Sequence, residues 1–446
     1  MDIKVAKFGG SSLADAAQFR KVRAIVEADP ARRYVVPSAP GKRDQHDQKI
    51  TDLLYKCHAL AQEGHSFAEV FGLIKGRFLT ICAELGLSLD LRPDLEEIAA
   101  RIKAGASADY AASRGEFLNG KILAAYLDFA FVDAADVIFF DTEGRFDAEK
   151  TQSVLSRELA RYPRAVIPGF YGSTPDGQVR TFSRGGSDIT GAIVARGVNA
   201  SLYENWTDVS GFLMADPRVV KNPKPIREIT YRELRELAYM GASVLHEEAI
   251  FPVREAKIPI NIKNTNDPDA PGTLIVSDNG NYRTPGSITG IAGLKGFTII
   301  AIEKTLMHSE LGFGRKLLSV IEDHGISFEH MPSGIDTISL VIADSQLNNN
   351  KLDKVLGDIE RVCQPDSIEV FQDIALIATV GLGMAYTPGI AAKLFTALAE
   401  GGINVRMIDQ GSSEINIIVG IENKDFEEAM RRIYYAFVPP EPDSPC

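Results

Sequence analysis

The sequence predicts an α/β protein in which a mainly parallel sheet is followed by two ferredoxin-like βαββαβ units, the first inserted into the second. Strand-like apolar runs alternate with helical spacing from the N-terminus to residue 276, beginning with a βαβ pattern. Glycine pairs stand where strands run into helices, at Gly9-Gly10 and Gly185-Gly186. Beyond residue 285 a group of residues recurs at a constant spacing of 77.

Residues 2–8 read as the first strand and lead into Gly9-Gly10-Ser11-Ser12, with Lys7 just before the glycines. A helix start leaves backbone N–H groups unpaired and carries partial positive charge. A lysine, glycines and hydroxyls at such a junction are therefore the parts needed to cradle a polyphosphate. The stretch is not a Walker A loop, the dinucleotide fingerprint is absent from this junction, and protein-kinase signatures are missing. Two separate glycine-rich anion sites ask for a different phosphate-handling fold.

Residues 13–28 have helical spacing and 33–36 form a second strand. The turn Ser38-Ala39-Pro40-Gly41-Lys42 lies where open α/β sheets place ligand loops, although a plain polar loop is the competing reading. Residues 43–49 are polar and expected to be mobile, and Thr51 caps or opens the next helix. Residues 50–127 are mostly helical, with a break at Arg92-Pro93 and small residues at 105–107. Within them Glu116 follows Arg114-Gly115, and by residue type alone it is a solvated helix glutamate.

Strands are expected at 137–140 and 165–167, the latter leading into Gly169-Phe170-Tyr171-Gly172. Arg184-Gly185-Gly186-Ser187-Asp188 then opens a helix over 187–197, and Arg184 supplies a planar cation suited to a carboxylate or phosphate. A strand at 202–206 precedes a turn-rich segment carrying Asp208, Asp216 and Arg218. In a parallel sheet such segments lie over the strand ends, where a nucleotide would sit. Residues 231–256 read as helical, 258–262 and 273–276 as strands, and turn residues at 279–285 set a domain boundary near 285.

Past that boundary Gly312, Lys316, Leu317, Gly325 and Ile326 recur as Gly389, Lys393, Leu394, Gly402 and Ile403. Each copy reads helix, Gly-Ile turn into a strand, then a second strand. With 298–303 before it and the helix 352–362 after it, the first copy completes βαββαβ. The second ends on a helix over 424–436 and lacks its last strand, which residues 287–292 can supply.

Lys7-Phe8-Gly9-Gly10-Ser11-Ser12, Ser183-Arg184-Gly185-Gly186-Ser187-Asp188 and Trp206-Thr207-Asp208-Val209 with Ala215-Asp216-Pro217-Arg218 closely resemble the aspartate kinases of the amino-acid kinase superfamily. The resemblance runs over nearly the whole chain in the expected order. It implies a three-layer αβα kinase domain over 1–285, a first ACT domain over 297–372, and a second over 286–296 plus 373–440. It also implies ATP-dependent phosphorylation of the β-carboxylate of L-aspartate, for lysine, methionine and threonine synthesis, with ATP and Mg²⁺. In the roles it carries over, Lys7 sits on the transferring phosphate and the N–H groups of Gly9, Gly10 and Ser11 cradle the nucleotide phosphates. Arg184 grips the α-carboxylate, Glu116 helps hold the amino group or orients the site, and Asp188 orients Lys7 and the phosphate-side network. Thr51, Phe170, Thr181 and Ser187 match substrate contacts, and Thr207, Asp208 and Arg218 nucleotide contacts. Met307, Gly312, Phe313, Gly314, Ser327, Phe328, Glu329 and Ser333 align with contacts to lysine as effector, alone or with threonine. Leu213 and Ser243 depart from the family's tyrosine and lysine, and Lys42 is the cation placed to compensate.

A carboxylate with a pKa near ~4 is ionised at neutral pH, so this reaction needs positioning and charge neutralisation rather than a general base. The net charge of −12 disfavours nucleic acid or an anionic membrane as a partner. Four scattered cysteines fit neither a disulfide framework nor a cysteine zinc site, and none of the seven histidines has metal-ligand spacing. No signal-peptide pattern opens the chain, so a cytoplasmic enzyme is expected, a homodimer or homotetramer paired through ACT edges. The alternatives are a catalytically silent amino-acid sensor with the same fold, or a kinase for another amino acid.

Overall fold

A computed structural model describes residues 2–183, 185–242, 247–278, 288–348 and 350–439, without the side chains of residues 247–250. The chain divides into two compact units, one of residues 1–212, 225–231 and 244–278, the other of 213–224, 232–243 and 279–446.

The first unit holds strands β1 (Lys4–Phe8), β2 (Arg32–Pro37), β3 (Ala130–Phe131), β4 (Ala165–Val166), β5 (Tyr171–Ser173), β6 (Val179–Thr181), β7 (Leu202–Thr207), β8 (Glu228–Thr230), β9 (Ile260–Asn264) and β10 (Thr273–Val276). Its helices are α1 (Ala16–Glu27), α2 (Ile50–Gln62), α3 (Ala68–Glu84), α4 (Arg92–Lys103), α5 (Ala108–Leu127), α6 (Ala134–Val137), α7 (Ala148–Leu159) and α8 (Gly186–Gly197). After α9 (Tyr231–Tyr239), whose residues from 232 on fall in the second unit, α10 (Glu247–Glu255) completes the set. Eight strands form one sheet in the order β3-β4-β2-β1-β7-β9-β10-β8, parallel except where β10 meets β9. Helices α1 to α5 pack together on one side of it, and α7, α8 and α10 on the other. Trp206, Phe8 and Phe19 fill the core beneath α1 to α5.

The Arg92-Pro93 break is a helix start, with Pro93 in the first turn of α4 where its missing N–H costs nothing. Other expectations are corrected. Residues 137–140 are no strand: Asp133 caps the short helix α6 by accepting the Ala135 N–H, and Phe139 and Phe140 make only isolated bridges. The helical stretch over 231–256 is interrupted after Tyr239, where Gly241 takes φ 94. Residues 43–49 are tied down, since buried Arg77 of α3 bonds both carboxylate oxygens of Asp47. Thr51 opens α2 and does not cap it, since the helix starts at Ile50 behind Lys49.

The second unit contains β11 (Gly290–Glu303), α11 (Phe313–Asp323), β12 (Thr337–Ala343), α12 (Lys351–Cys363), β13 (Ser367–Val380), α13 (Ile390–Glu400), β14 (Met407–Asp409), β15 (Asn416–Glu422) and α14 (Phe426–Phe437). Its antiparallel sheet runs β12-β11-β13-β15-β14. The expected strand at 287–292 is the start of one continuous β11, whose first half pairs with the second half of β13 and whose second half pairs with both β12 and the first half of β13. One module is thereby inserted into the other, each with its own apolar core. The second strand of each copy is reduced: residues 327–333 make only bridges at His330 and Ser333, where Pro332 lacks an N–H, and β14 has three residues. The expected boundary at residue 285 and Ser243 and His246 lie outside the described residues.

The repeat has a backbone cause. Gly312 and Gly389 precede α11 and α13 at φ 80 and 90, and Gly325 and Gly402 follow those helices at φ 58 and 66. A Cβ at Gly312 or Gly389 has room, so alanine there meets only backbone strain, about 1 kcal/mol. Alanine at Gly357, inside α12 with open space around it, carries no such strain and gains helix propensity. Urea unfolding should show Gly312→Ala and Gly389→Ala destabilised and Gly357→Ala stabilised, each by about 1 kcal/mol.

Candidate active site

β1 and β7 run parallel with Lys7 opposite Asn205 and Phe8 opposite Trp206. Strand alternation sends the Phe8 and Trp206 rings to the core, stacked 5.9 Å apart, and sends Lys7 and Asn205 toward α8. There the Lys7 ammonium, on a residue only 7% exposed, lies 2.5 Å from Asp188 Oδ1 in the first turn of α8. Asn205 Nδ2 donates to the same oxygen at 2.9 Å, and the Tyr203 hydroxyl donates to the Asp188 carbonyl at 3.0 Å. Gly191 lets that helix settle onto Tyr203, because a Cβ there would stand 2.5 Å from the hydroxyl.

The turn after β1 is packed backbone to backbone. The Gly9 N–H donates to the Trp206 carbonyl at 2.9 Å, and the Gly10 carbonyl accepts the Gly41 N–H at 2.8 Å. A Cβ on Gly10 would lie 2.9 Å from Ala39 O, and one on Gly41 2.6 Å from Gly10 C. Of the three residues read as a phosphate cradle, Gly9 thus spends its N–H inside the fold. Gly10 and Ser11 direct none to a loop or turn carbonyl among the described residues. Ser12 shares a hydrogen bond of 2.8 Å with Thr265, whose N–H donates to Thr207 O at 2.9 Å. Thr207 and Asp208 stand together at the end of β7, bonded at 3.2 Å.

α5 clamps the loop after β2. Asn119 Nδ2 donates to Ser38 O at 2.7 Å, and the Glu116 carboxylate accepts the Ala39 N–H. Glu116 is 5% exposed, not the solvated glutamate its residue type suggests. Burial pushes its carboxyl up to about 8, with the Ala39 N–H and Arg114 pulling the other way. Glu116 Oε2 and Asn119 Oδ1, one turn apart on α5, are buried acceptors with no partner among the described residues. Arg77 secures the far side of the loop by donating to Gly41 O at 3.2 Å and Ala14 O at 3.3 Å. Asp47, which accepts from Arg43 and Arg77, is held far below the usual carboxylate range, chiefly by the Arg43 hydrogen bond.

Phe170 takes φ 82, a conformation costing about 1–3 kcal/mol outside glycine. Its N–H donates to Thr190 Oγ1 of α8 and its carbonyl accepts the Phe182 N–H. Gly169 abuts Ser187, and Gly186 abuts the Phe170 ring, where a Cβ would come within 2.6 Å. Phe170, Ser187 and Asp188 therefore gather at one end of α8. Thr181 instead donates to Asp109 Oδ1 at 2.8 Å, and Thr51 stands in the first turn of α2. Arg184 lies outside the described residues. Arg218 is in the second unit, exposed and paired with Asp216 at 2.6 Å.

In the second unit Met307 and Phe313 are core residues, while Gly312 and Gly314 begin α11. Ser327 is held by Gln346, Phe328 is exposed, Ser333 bridges Ile338, and Glu329 accepts a hydrogen bond from Tyr239. That bond, with burial, pushes the Tyr239 phenol up to about 12. Asn205, Arg77, Asn119 and Thr265 are absent from the sequence reading. The one signal for Asn205 was its alternation on β7, and it required the register against Lys7.

A model of the amino acid kinase family matches residues 2–264, and one of the ACT domain residues 377–437. The chain is 41% identical to Aspartokinase 3 of Bacillus subtilis over 98% of its own length and 98% of that protein's. It matches the crystal structure of Clostridium acetobutylicum aspartate kinase, an allosteric enzyme, with a TM-score of 0.92 and 59% identity over 98% of this chain and 100% of that one. E. coli aspartokinase III, solved with aspartate and ADP and again with lysine and aspartate, matches with TM-scores of 0.73 and 0.74 at 26% identity, covering 98% of this chain and 100% of that one.

The fold favours the neutral acid of Glu116. Its contribution to stability is therefore fully present below the ordinary value of 4.5 and is lost as pH rises through about 8. Calorimetry should show the wild type losing Tm relative to Glu116→Gln between about pH 5 and pH 8; a constant difference would contradict the burial.

Proposed function

The chain belongs to the amino acid kinase family and within it to the aspartokinases, and on that premise we propose that it moves the γ-phosphoryl group of ATP to the β-carboxylate of L-aspartate. The product is 4-phospho-L-aspartate, at the head of lysine, threonine and methionine synthesis. The observation that carries this reading is the buried Lys7–Asp188 pair beside the Gly9-Gly10 turn.

A carboxylate oxygen attacks the γ-phosphorus as its bond to the β,γ-bridging oxygen breaks, ADP departs, and no proton is moved. The Lys7 ammonium is the cation within the fold for the charge of that transfer, and Asp188 fixes its direction. Gly10 and Ser11 offer N–H groups to nucleotide phosphates, and Thr207, Asp208 and Arg218 take the remaining nucleotide contacts. Thr51, Phe170, Thr181, Arg184 and Ser187 hold the amino acid. The orphaned oxygen of Glu116 suits the substrate ammonium, which would satisfy it and draw off its proton.

Among the described residues no cluster of three His, Cys, Asp or Glu side chains can hold a metal ion. Mg²⁺ is assigned to nucleotide oxygens and water, where it would neutralise phosphate charge. Residues 1–285 are assigned to the kinase domain, 297–372 to the first ACT domain, and 286–296 plus 373–440 to the second. Lysine, alone or with threonine, is assigned as inhibitor at the first ACT domain, supported by the lysine complex of the E. coli enzyme. Pairing through ACT edges into a dimer or tetramer belongs to the same reading, as does a place in the cytoplasm; among the described residues no helix is long and apolar enough to cross a membrane.

With ATP, Mg²⁺ and L-aspartate, acyl phosphate trapped as hydroxamate should appear only when aspartate is present and should fall when lysine is added. No turnover together with thermal stabilisation by an amino acid would favour a silent sensor. Calorimetric titration of aspartate at pH 7 should report proton release in the wild type and none in Glu116→Gln, since the free carboxyl is held neutral up to about 8.

A further inference from the structure

We infer that Asn205 is a positioning residue for phosphoryl transfer, an inference that rests on the kinase reading above. Asn205 is 3% exposed and stands opposite Lys7 in the β1–β7 register. Its side-chain oxygen faces the Lys7 ammonium at 3.4 Å, and its Nδ2 donates to Asp188 Oδ1 at 2.9 Å. An ammonium only donates and a carboxylate only accepts. A side chain wedged between them must accept from one and donate to the other at once. Aspartate there would repel Asp188 and lysine would repel Lys7, while an aliphatic residue would do neither job. Asparagine does both at once, with its acceptor and its donor on separate atoms.

The consequence is directional. Asp188 Oδ1 takes both donors, so the carboxylate is held from two directions and not by the ammonium alone. Of the three Lys7 N–H groups, one points to Asp188 and one toward Asn205. The third is left for the side of the Gly9 turn, where a Cβ on Gly9 would come 3.7 Å from Nζ. Both polar atoms of the Asn205 side chain are thus engaged by Lys7 and Asp188. Asn205 should matter for turnover and hardly at all for substrate binding.

Asn205→Asp keeps the shape and removes the donor; Asn205→Leu keeps the branched outline and removes both functions. Steady-state kinetics on full-length variants, checked for folding by thermal unfolding, should show kcat lowered roughly 10- to 100-fold, with KM for ATP and aspartate within about 3-fold of wild type. If either variant fails to fold, the other decides. A folded variant with kcat within about 2-fold of wild type, or one whose loss falls wholly in KM, overturns the assignment. Wild type without aspartate-dependent turnover instead overturns the kinase reading, and this inference with it.

Discussion

A lysine ammonium enclosed between two strands and a helix must have an anion within reach, since an unpaired buried charge costs several kcal/mol. In this protein that anion is Asp188, and much of the first unit follows from bringing it to Lys7. The β1–β7 register sets Lys7 and Asn205 side by side, Gly185 at φ 69 starts the helix at the required point, and Gly191 lets it sink onto Tyr203. The same first turn of α8 presses on Phe170 and holds it at a positive φ. Charge pairing, helix placement and backbone strain thus converge at one end of one helix.

A second set of contacts fixes the loop after β2, which packs on the Gly10 turn. Gly41 locks onto Gly10, Arg77 gathers Gly41, Ala14 and Asp47, and α5 holds Ser38 and Ala39 through Asn119 and Glu116. Two helices, α3 and α5, therefore converge on one short loop. On the proposed reading, a loop held in this way suits a transfer that needs position and not a general base. The second unit applies one device twice, with left-handed glycines opening and closing α11 and α13 around separate apolar cores.

The parts legible in the sequence were those encoded locally. Glycines at strand ends, the 77-residue repeat and alternating elements all leave marks on neighbouring positions, and the parallel sheet and inserted module follow from them. Residues 137–140 misled because their aromatic content suggests a strand, whereas Asp133 caps a helical turn just before them. The polar run 43–49 looked mobile because its anchor, Arg77, lies thirty residues beyond Asp47. Glu116 looked solvated because nothing nearby in sequence reveals its burial or that the Ala39 N–H reaches it. Asn205 gained meaning only from strand register. Side-chain function in this site is set by partners far away in the chain, which composition and period do not record.

The most direct test of the account is phosphoryl transfer by Lys7→Ala, followed with labelled ATP and aspartate beside a measurement of aspartate-induced thermal stabilisation. If the Lys7–Asp188 pair carries the charge of transfer, the variant should still be stabilised by aspartate and should turn over roughly a hundredfold or more slowly. A folded Lys7→Ala enzyme working within about threefold of wild type would contradict the account at its centre.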